Sequence, residues 1–318
     1  MDHASAAGLE APAEVMARYQ HALRWLAGGA AYDDLNIEYE NATPIGVPVN
    51  DVLELVRAAV VRVIPAGKAR CFGRLFSVVE LKKNRRRIIF WPKALNDAIW
   101  SFNADAGLEA FPFSLSLPED HLLDIYLGQW AAGVDLVCAF YQHQLHEDVQ
   151  YQFCFVVPAD DLPAEYARFA THGVVTFAFQ RLPMGFVPAC EVQQATTELL
   201  ASHSTKVATR IYIDGVRHVG DRQAVASALQ DTATRCATAK ADVEVTPPAS
   251  THSWLGVDYD FIGKTVTLSE SFRSKLSALR DQTRFPDGVR GVWLRCTAPL
   301  ILRVPYSADS ASPVLSRD

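Results

Sequence analysis

The spacing of apolar residues divides the chain into a helical first part and a strand-rich middle part. Residues 12–27 begin with Pro12, carry apolar side chains on one helical stripe and end before Gly28, which predicts an amphipathic helix. A second helix is predicted from Asn50, as its N-cap, to about residue 64, because Pro65 cannot continue a helix. The stripe of the first helix consists of Val15, Met16, Tyr19, Leu23 and Leu26.

After residue 69 the pattern favours β-strands, some joined as hairpins and some separated by helices. Segments 71–81 and 85–91 predict a hairpin whose basic tip is KKNRRR, residues 82–87. This mixture of strands and helices indicates an α+β fold. The other predicted elements are strands at 133–145 (running into a short helix), 149–158 and 173–182, helices at 190–203 and at 221–239 with Asp221 as N-cap, a turn at 245–251, strands at 254–261 and 264–269, and a helix at about 270–280.

Composition permits a large core and restricts the kinds of partner. Of the 318 residues, 49% are hydrophobic and 21% are charged, which excludes the disordered class. The net charge of −6 argues against a broadly basic surface, so any contact with nucleic acid must come from local clusters. Among the six cysteines there is no C-x-x-C pair, which fits a reducing compartment. With no secretory leader and no long apolar run in the sequence, we expect an intracellular protein, cytoplasmic or nuclear, that is not secreted and does not insert into a membrane.

The stretch RIYIDGVRHVG, residues 210–220, places one acidic side chain, Asp214, where the chain is predicted to reverse. Asp-Gly between two β-prone runs is typical of a two-residue type I′ turn, in which both central residues have positive φ. A carboxylate at such a tip is also suited to binding a metal ion. Taken alone, the stretch favours the turn interpretation, because Asp and Gly are common turn residues.

Four stretches in a particular order change this balance: the basic tip at 82–87, GVDLVCAFYQHQL at 133–145, RLPMGF at 181–186 and IYIDGV at 211–216. Their order resembles the fingers and palm of a reverse transcriptase, in which a strand aspartate is followed five residues later by an aromatic residue, then by a Leu-Pro-x-Gly turn and a Tyr-x-Asp-Asp hairpin. The matching positions are Asp135 with Phe140, residues 182–185 and residues 212–215. The LPMG form, the FYQ after the first strand and the downstream WLG are most similar to the VIPER and DIRS-like retroelements, which encode a tyrosine recombinase.

The resemblance covers roughly residues 70–280 and implies a right-hand polymerase architecture, with an antiparallel palm sheet backed by helices and a reduced thumb. The helix patterns predict a helical N-terminal extension at 1–68, and the resemblance implies fingers and palm at 69–268 and a partial thumb with a polar tail at 269–318. The residues after the WLG hairpin are too few for a full thumb and a ribonuclease H domain of about 100 to 150 residues. We therefore expect an excised, decayed or domesticated part of a retroelement.

The resemblance also implies RNA-directed DNA polymerase activity, with Asp135 and Asp214 as the catalytic carboxylates. Two-metal nucleotidyl transfer needs carboxylates from separate strands to hold two ions about 3.5 to 4 Å apart. Mg²⁺, or Mn²⁺ in its place, prefers few protein ligands together with phosphate oxygens and water, so two aspartates and the backbone carbonyl of Leu136 suffice. The implied partners are a primed RNA or DNA template and a deoxynucleoside triphosphate.

Further positions match the part of the family site that binds the incoming nucleotide. The resemblance implies that basic fingers residues reach the triphosphate, that an aromatic ring under the sugar excludes a 2′-hydroxyl, and that the LPMG turn packs against the nucleotide and template. The structural alternatives are a hydrated loop tip, ordinary core aromatics and a plain turn before a helix. The residues are Lys82, Lys83, Arg87, Phe140, Met184 and Gly185.

One departure from the family pattern leaves a second function open. The hairpin position that normally carries a second acidic residue is Gly215, so activity is expected to be reduced or absent. The alternative is an inactive palm-derived protein that binds RNA or a protein partner. A third interpretation, an unrelated binding domain, requires Asp135 and Asp214 to lie far apart. Neither His143 with His146 nor Gln193 with Gln194 carries a specific signal: the first pair lacks further metal ligands, and the second fits a template contact or a polar helix face.

Overall fold

Helices packed on antiparallel sheets form an α+β fold. The computed structural model describes residues 1–37, 42, 45–80, 85–105, 115–116, 118–270, 272–274 and 277. The α-helices of these residues are α1 (His3–Ala7), α2 (Ala13–Ala22), α3 (Arg24–Ala27), α4 (Ala30–Asp33), α5 (Val49–Arg57), α6 (Lys93–Asp105), α7 (Glu147–Gln150), α8 (Ala189–Leu200) and α9 (Arg222–Thr238). The strands are β1 (Val61–Val63), β2 (Arg74–Glu80), β3 (Arg85–Trp91), β4 (Trp130–Leu136), β5 (Cys154–Pro158), β6 (Val174–Phe179), β7 (Ala208–Tyr212), β8 (Gly215–Gly220), β9 (Val243–Ala249), β10 (Thr251–Trp254), β11 (Val257–Asp260) and β12 (Thr265–Leu268).

Four antiparallel strands in the order β7-β8-β4-β9 form the sheet on which the candidate site is built. Because side chains alternate along a strand, β4 presents two different faces. On one face Val134 and Leu136 pack with residues of α1, α2 and α9. On the other face Ala131 packs with residues of the β10-β11-β12 sheet. Asp135 belongs to this second face, at the end of the strand, where its side chain is exposed.

The largest apolar core lies beside the third sheet, β1-β6-β5, and the β2–β3 hairpin. It also buries Trp25 and Leu26 of α3 and Val52 of α5, so the N-terminal helices share a core with the strands that follow them. Aromatic rings in contact form its centre: Phe90, Phe153, Phe155, Phe177, Phe179 and Phe186.

Most predicted elements are present, and the β2–β3 hairpin is confirmed by its antiparallel register, for example Ser77 opposite Ile88. The predicted helix from Asn50 to residue 64 is wrong in its second half. Helix α5 ends at Arg57, and the chain turns through Ala59, which has a φ of +52°. Residues 61–63 then pair with β6, because the β-branched valines gain more burial in the sheet than on a helix surface.

The predicted turn at residues 245–251 is also wrong for most of its length, since residues 245–249 lie in β9. Two consecutive prolines are tolerated there because β9 is an edge strand and its register with β4 shifts at these two residues, so neither N–H group is needed in the ladder. Asp221 stands at the N-cap of α9, as predicted, but its side chain makes no capping hydrogen bond. The predicted helix at 270–280 and the thumb and tail at 269–318 fall largely outside the described residues. Within the described ranges, no helix combines the length and apolarity needed to cross a membrane.

Candidate active site

Strand pairing on both sides determines the position of Asp135. In the ladder, Asp135 lies directly opposite Gly215 of β8 and directly opposite Glu244 of β9. Residues directly opposite in an antiparallel ladder point to the same face, so the three positions form a row across β9, β4 and β8. Two of the three are acidic and the third has no side chain.

A strained two-residue turn determines the position of Asp214. Tyr212 pairs with Gly215, so the central residues of the turn are Ile213 and Asp214. Only Ile213 has positive φ, at +52°, whereas a type I′ turn needs it at both central positions, so the type I′ prediction was wrong. A β-branched residue in this region is an outlier that neighbouring contacts must hold in place.

Contacts from two directions hold this turn. The N–H of Leu136 donates to the carbonyl of Asp214 at 2.9 Å, which joins the turn to the end of β4. From the other side, the N–H of Ile213 donates to Oε1 of Gln194 on α8 at 2.7 Å. Asp135 and Asp214 are thereby brought next to each other. The third interpretation, which requires them to lie far apart, does not agree with this geometry.

One cavity of about 430 Å³ is lined by both aspartates. Its wall opposite the aspartates comes from β10 and the residue after it. A cavity of this size is within the range of small-molecule sites. The lining residues are Gly133, Asp135, Tyr212, Asp214, Gly215, Val216, Thr246, Thr251, His252, Ser253, Trp254 and Leu255.

The indole of Trp254 covers the position where a second acidic residue would start. A Cβ atom at Gly215 would lie 3.2 Å from Cη2 and Cζ3 of Trp254 and 3.3 Å from Oδ1 of Asp135. Both distances are shorter than ordinary carbon contacts. The cationic guanidinium of Arg217 lies 5.3 Å from the centre of the indole, and Asp124 forms an ion pair with Arg217. Gly215 and Trp254 are therefore complementary in shape.

His252 is a neutral polar side chain at the cavity. Burial, and after it the charge of Arg217, lowers the pKa of His252 to about 4. A Cβ on Gly133, two residues before Asp135, would lie 3.2 Å from Cε1 of the imidazole. The missing side chain at position 133 thus makes room for this ring beside the aspartates.

The charge of Asp214 also acts on the helix behind the turn. Burial raises the pKa of the Cys190 thiol on α8, and the negative charge of Asp214 raises it further. Cys190 therefore stays protonated at neutral pH, so it adds no second negative charge beside Asp214.

The predicted nucleotide-binding positions lie on elements that meet at β3. The N–H of Phe90 donates to the carbonyl of Met184 at 2.8 Å, and a Cβ on Gly185 would lie 2.3 Å from the carbonyl oxygen of Phe90. Gly185 therefore has a structural reason to be glycine, with a φ of +108°. Arg87 is exposed on β3, three residues before Phe90.

Phe140 lies in a short 3₁₀ segment, Ala139–Gln142, just after β4. It is half-buried and packs against the large apolar core, and the hydroxyl of its neighbour Tyr141 donates to the carbonyl of Ile88 at 3.5 Å. This contact brings the segment close to the strand that carries Arg87. Lys82 and Lys83 lie outside the described residues.

The donors at the two aspartates suit a hard cation that arrives with phosphate. Both side chains are exposed carboxylates, which are the ligands that Mg²⁺ and Mn²⁺ prefer, and the end of β4 adds backbone carbonyls. In the described part of the chain there is no group of three or more His, Cys, Asp or Glu arranged to hold a metal. The residues therefore fit an ion held jointly with a nucleotide, and they do not fit a tightly bound structural metal.

Several residues around the site gave no recognisable sequence signal. The carboxylate of Asp124, from a 3₁₀ segment, is buried and binds Arg217 as well as Arg210. His252 was missed because a single polar residue in a strand pattern looks like a surface position, and Gln194 was considered for a template contact or a polar helix face but is buried and bonds to the turn. A hairpin after WLG could be predicted from sequence, but the packing of its Trp254 against Gly215 could not.

The two histidines considered as metal ligands point to different environments. His143 is buried, stacks on His3 with ring centres 5.1 Å apart and shares a 2.9 Å hydrogen bond with Gln193. Burial lowers its pKa to about 3. His146 is exposed and caps α7. His143 and His146 therefore each have a structural role in the fold.

Solved structures of reverse transcriptases resemble this fold, although no family model matches the sequence and no curated protein matches it. A foamy viral protease–reverse transcriptase, in a form called dRH bound to double-stranded DNA, superposes with a TM-score of 0.59 and 12% identity over 89% of this chain and 48% of that chain. Foamy viral protease–reverse transcriptase bound to double-stranded DNA has a TM-score of 0.52 at 12% identity over 95% of this chain and 63% of that chain. The foamy viral protease–reverse transcriptase in complex with an RNA/DNA hybrid has a TM-score of 0.51 at 12% identity, over 86% of this chain and 36% of that chain.

The fold of this chain is therefore reverse transcriptase-like. Because the sequence identity is only 12%, the similarity to these solved structures concerns the fold alone. The chain spans about half of the length of the first of these proteins.

Proposed function

We propose that this chain is the fingers and palm of an RNA-directed DNA polymerase from a retroelement of the VIPER and DIRS-like group. The observation that carries the proposal is the meeting of Asp135 and Asp214 at one cavity of a reverse transcriptase-like fold. The subgroup is supported by the LPMG, FYQ and WLG segments alone. The reaction is transfer of a deoxynucleotide onto the 3′-hydroxyl of a primer.

In this proposal Asp135, Asp214 and the carbonyl of Leu136 hold Mg²⁺ or Mn²⁺. When bound, these ions lower the barrier for attack by the hydroxyl and neutralise the phosphates. The protein residues do the positioning: β4 and the turn present their carboxylates to one cavity from two adjacent strands. The low pKa of His252 keeps the opposite wall neutral, so it does not compete with a cation for the aspartates.

The nucleotide is held from the side of β3. Arg87, together with Lys82 and Lys83, binds the triphosphate, since guanidinium and ammonium groups match phosphate oxygens. Phe140 lies under the sugar and excludes a 2′-hydroxyl. Met184 and Gly185 bring the backbone close to β3 and so close the site around the base.

The nucleic-acid partner is a primed template. Support comes from the similar foamy viral proteins, which were solved with double-stranded DNA and with an RNA/DNA hybrid. Contacts to the backbone and to the shape of the duplex are expected to dominate over base recognition. Because the net charge is −6, we expect this binding at local basic clusters such as the segment KKNRRR, residues 82–87.

A second candidate function is an inactive palm-derived protein that binds a nucleic-acid duplex. It is favoured by Gly215, where the family has an acidic residue, and by the indole that covers this position. Such a protein keeps duplex binding and loses nucleotidyl transfer.

The test is primer extension by the purified chain on a primed RNA template with Mg²⁺ or Mn²⁺. We expect extension by the natural chain and a loss of about 100-fold or more for Asp135→Asn and for Asp214→Asn, because each removes a preorganised charge at the reacting phosphate. Asp160→Asn, an exposed aspartate in another 3₁₀ segment, is the control and keeps full activity. In the same assay, Phe140→Ala is expected to accept ribonucleotides.

Duplex binding by the natural chain without extension, in both metals, selects the second candidate. Extension that survives Asp135→Asn or Asp214→Asn rejects the assignment of that residue. Unchanged sugar selection by an active Phe140→Ala variant removes Phe140 from the nucleotide site.

A further inference from the structure

The turn that carries Asp214 depends on one buried amide on α8. The side chain of Gln194 is 4% exposed, and its Oε1 accepts the N–H of Ile213 at 2.7 Å. Ile213 is the residue with the unfavourable φ of +52°. This contact helps to hold Ile213 in the left-handed region, together with the hydrogen bond from the N–H of Leu136 to the carbonyl of Asp214.

A second hydrogen bond fixes which way the amide points. Nε2 of Gln194 donates to Oε1 of Glu198 at 3.1 Å, one helical turn further along α8. One neighbour of the side chain is thus a donor and the other is a carboxylate acceptor. An amide satisfies both, whereas a carboxylate of the same size satisfies only the first.

The N-terminal region completes the chain of contacts. Arg18 on α2 binds Oε2 of Glu198 through both Nε and Nη2, each at 2.9 Å. Glu198 therefore uses one oxygen for Arg18 and the other for Gln194. Helix α2 and α8 also line a common open cavity of about 450 Å³ that includes Arg18, Gln194 and Glu198.

From these contacts we infer that Gln194 is a positioning residue for Asp214, and that α2 tightens it through Arg18 and Glu198. The N-terminal helices, where the resemblance to reverse transcriptases is weakest, are then a functional part of the site. The inference rests on the proposed function for its effect on catalysis, but the effect on the turn is independent of any activity.

The decisive comparison is Gln194→Glu against the exchange Gln194→Glu with Glu198→Gln. The single change places two carboxylates side by side and removes the donor that faces Glu198. In the exchanged pair, the carboxylate introduced at position 194 still accepts from Ile213, and the amide introduced at position 198 donates to that carboxylate. The hydrogen bonds between positions 194, 198 and 213 are then restored with the roles reversed, and the amide oxygen at position 198 can still accept from Arg18. Gln193→Glu is the matched control, because Gln193 is equally buried on the same helix but bonds to His143 and Thr197.

The first measurement is amide hydrogen exchange at Ile213. We expect the amide of Ile213 to exchange about 10-fold or more faster in Gln194→Glu than in the natural chain, and close to the natural rate in the exchanged pair. In Gln193→Glu, any change at Ile213 should be no larger than the change in exchange by global unfolding. Arg18→Gln, at a partly exposed position, leaves the core intact and is expected to speed exchange about 2- to 5-fold, as for a partly exposed ion pair. If Gln194→Glu does not fold, the result for Arg18→Gln decides the question. An unchanged rate of amide exchange at Ile213 in Arg18→Gln overturns the inference.

The second measurement is primer extension. We expect kcat to fall about 10- to 100-fold in Gln194→Glu with KM for the nucleotide little changed, since Asp214 is displaced while the nucleotide contacts remain. The loss of kcat in Gln194→Glu should shrink as the pH is lowered. The carboxylates at positions 194 and 198 then share a proton, and this proton restores a hydrogen-bond donor between them. A kcat loss that is independent of pH, and that the exchange with Glu198→Gln does not rescue, contradicts the inference. If the natural chain has no activity, the proposed function fails while the exchange data still decide the role of Gln194.

Discussion

Asp135 and Asp214 meet at one cavity, yet their supports differ in kind. Asp135 lies one residue before the end of β4 with ladder partners on both sides, and its neighbour Leu136 is buried in the core. Asp214 is at the tip of a strained turn that is held by one backbone hydrogen bond from Leu136 and by one side chain from α8. One carboxylate is thus positioned by a strand ladder and the other by a turn that a helix side chain supports. Two adjacent residues of α8 contact the two regions. Gln193 bonds to His143, which follows β4, and Gln194 bonds to the turn that carries Asp214.

The largest expected difference between the two supports is in stability. Leu136→Ala should lower the free energy of unfolding by about 2 to 5 kcal/mol, because it opens a cavity in a buried core. Ile211→Ala, on the half-buried strand that leads into the turn, should cost less than about 2 kcal/mol. Urea denaturation of both variants measures the difference. Equal losses would show that the turn is held as firmly as the strand.

Acid should weaken the support beneath β4 through His143. Burial lowers the pKa of His143 in the folded protein to about 3, while the unfolded value is near the ordinary 6.5. Between these values the unfolded state binds more protons, so the free energy of unfolding falls as the pH falls below 6.5. His143→Gln should remove about 1 to 2 kcal/mol of the loss between pH 7 and pH 5. Urea titrations at the two pH values test this.

His218 offers the control for that experiment. Its pKa is lowered to about 4, also by burial, but it lies on β8 and bonds to Thr209 of β7 and to Thr232 of α9. His218→Gln should flatten the pH dependence by a similar amount. If neither variant changes the slope, other groups account for the acid sensitivity.

The smallest expected effect concerns the fit of Gly215 with Trp254. Gly215→Asp alone should bring no gain in extension and a loss of about 1 kcal/mol in stability, since its Cβ is crowded by the indole and by Asp135. Combined with Trp254→Leu, the two stability losses should couple by about 0.5 kcal/mol or more, since the residues touch. Gly215→Ala adds a Cβ atom without a charge, so its stability loss measures the crowding alone. Additive losses, or a gain in extension from Gly215→Asp alone, would mean that the indole does not limit this position.

The elements nearest the site were predicted well because their signals are local. The alternation in residues 85–91, the helix after LPMGF and the strands on both sides of Asp214 each depend on neighbours a few positions away. Residues 58–64 were misjudged because their apolar pattern suits a helix or a buried strand. The burial of β1 against β6, more than one hundred positions later, settles the choice.

By itself, the sequence determined which residues are acidic, basic or aromatic in the order typical of a palm, and that they lie on strands and turns. Only the tertiary structure decided that the turn centres on Ile213 and Asp214, that Trp254 covers Gly215, and that Gln194 holds the turn. The physical reason is that strand register and side-chain contact depend on how distant segments pack together, whereas the periodicity of a strand or helix is set by the residues within it.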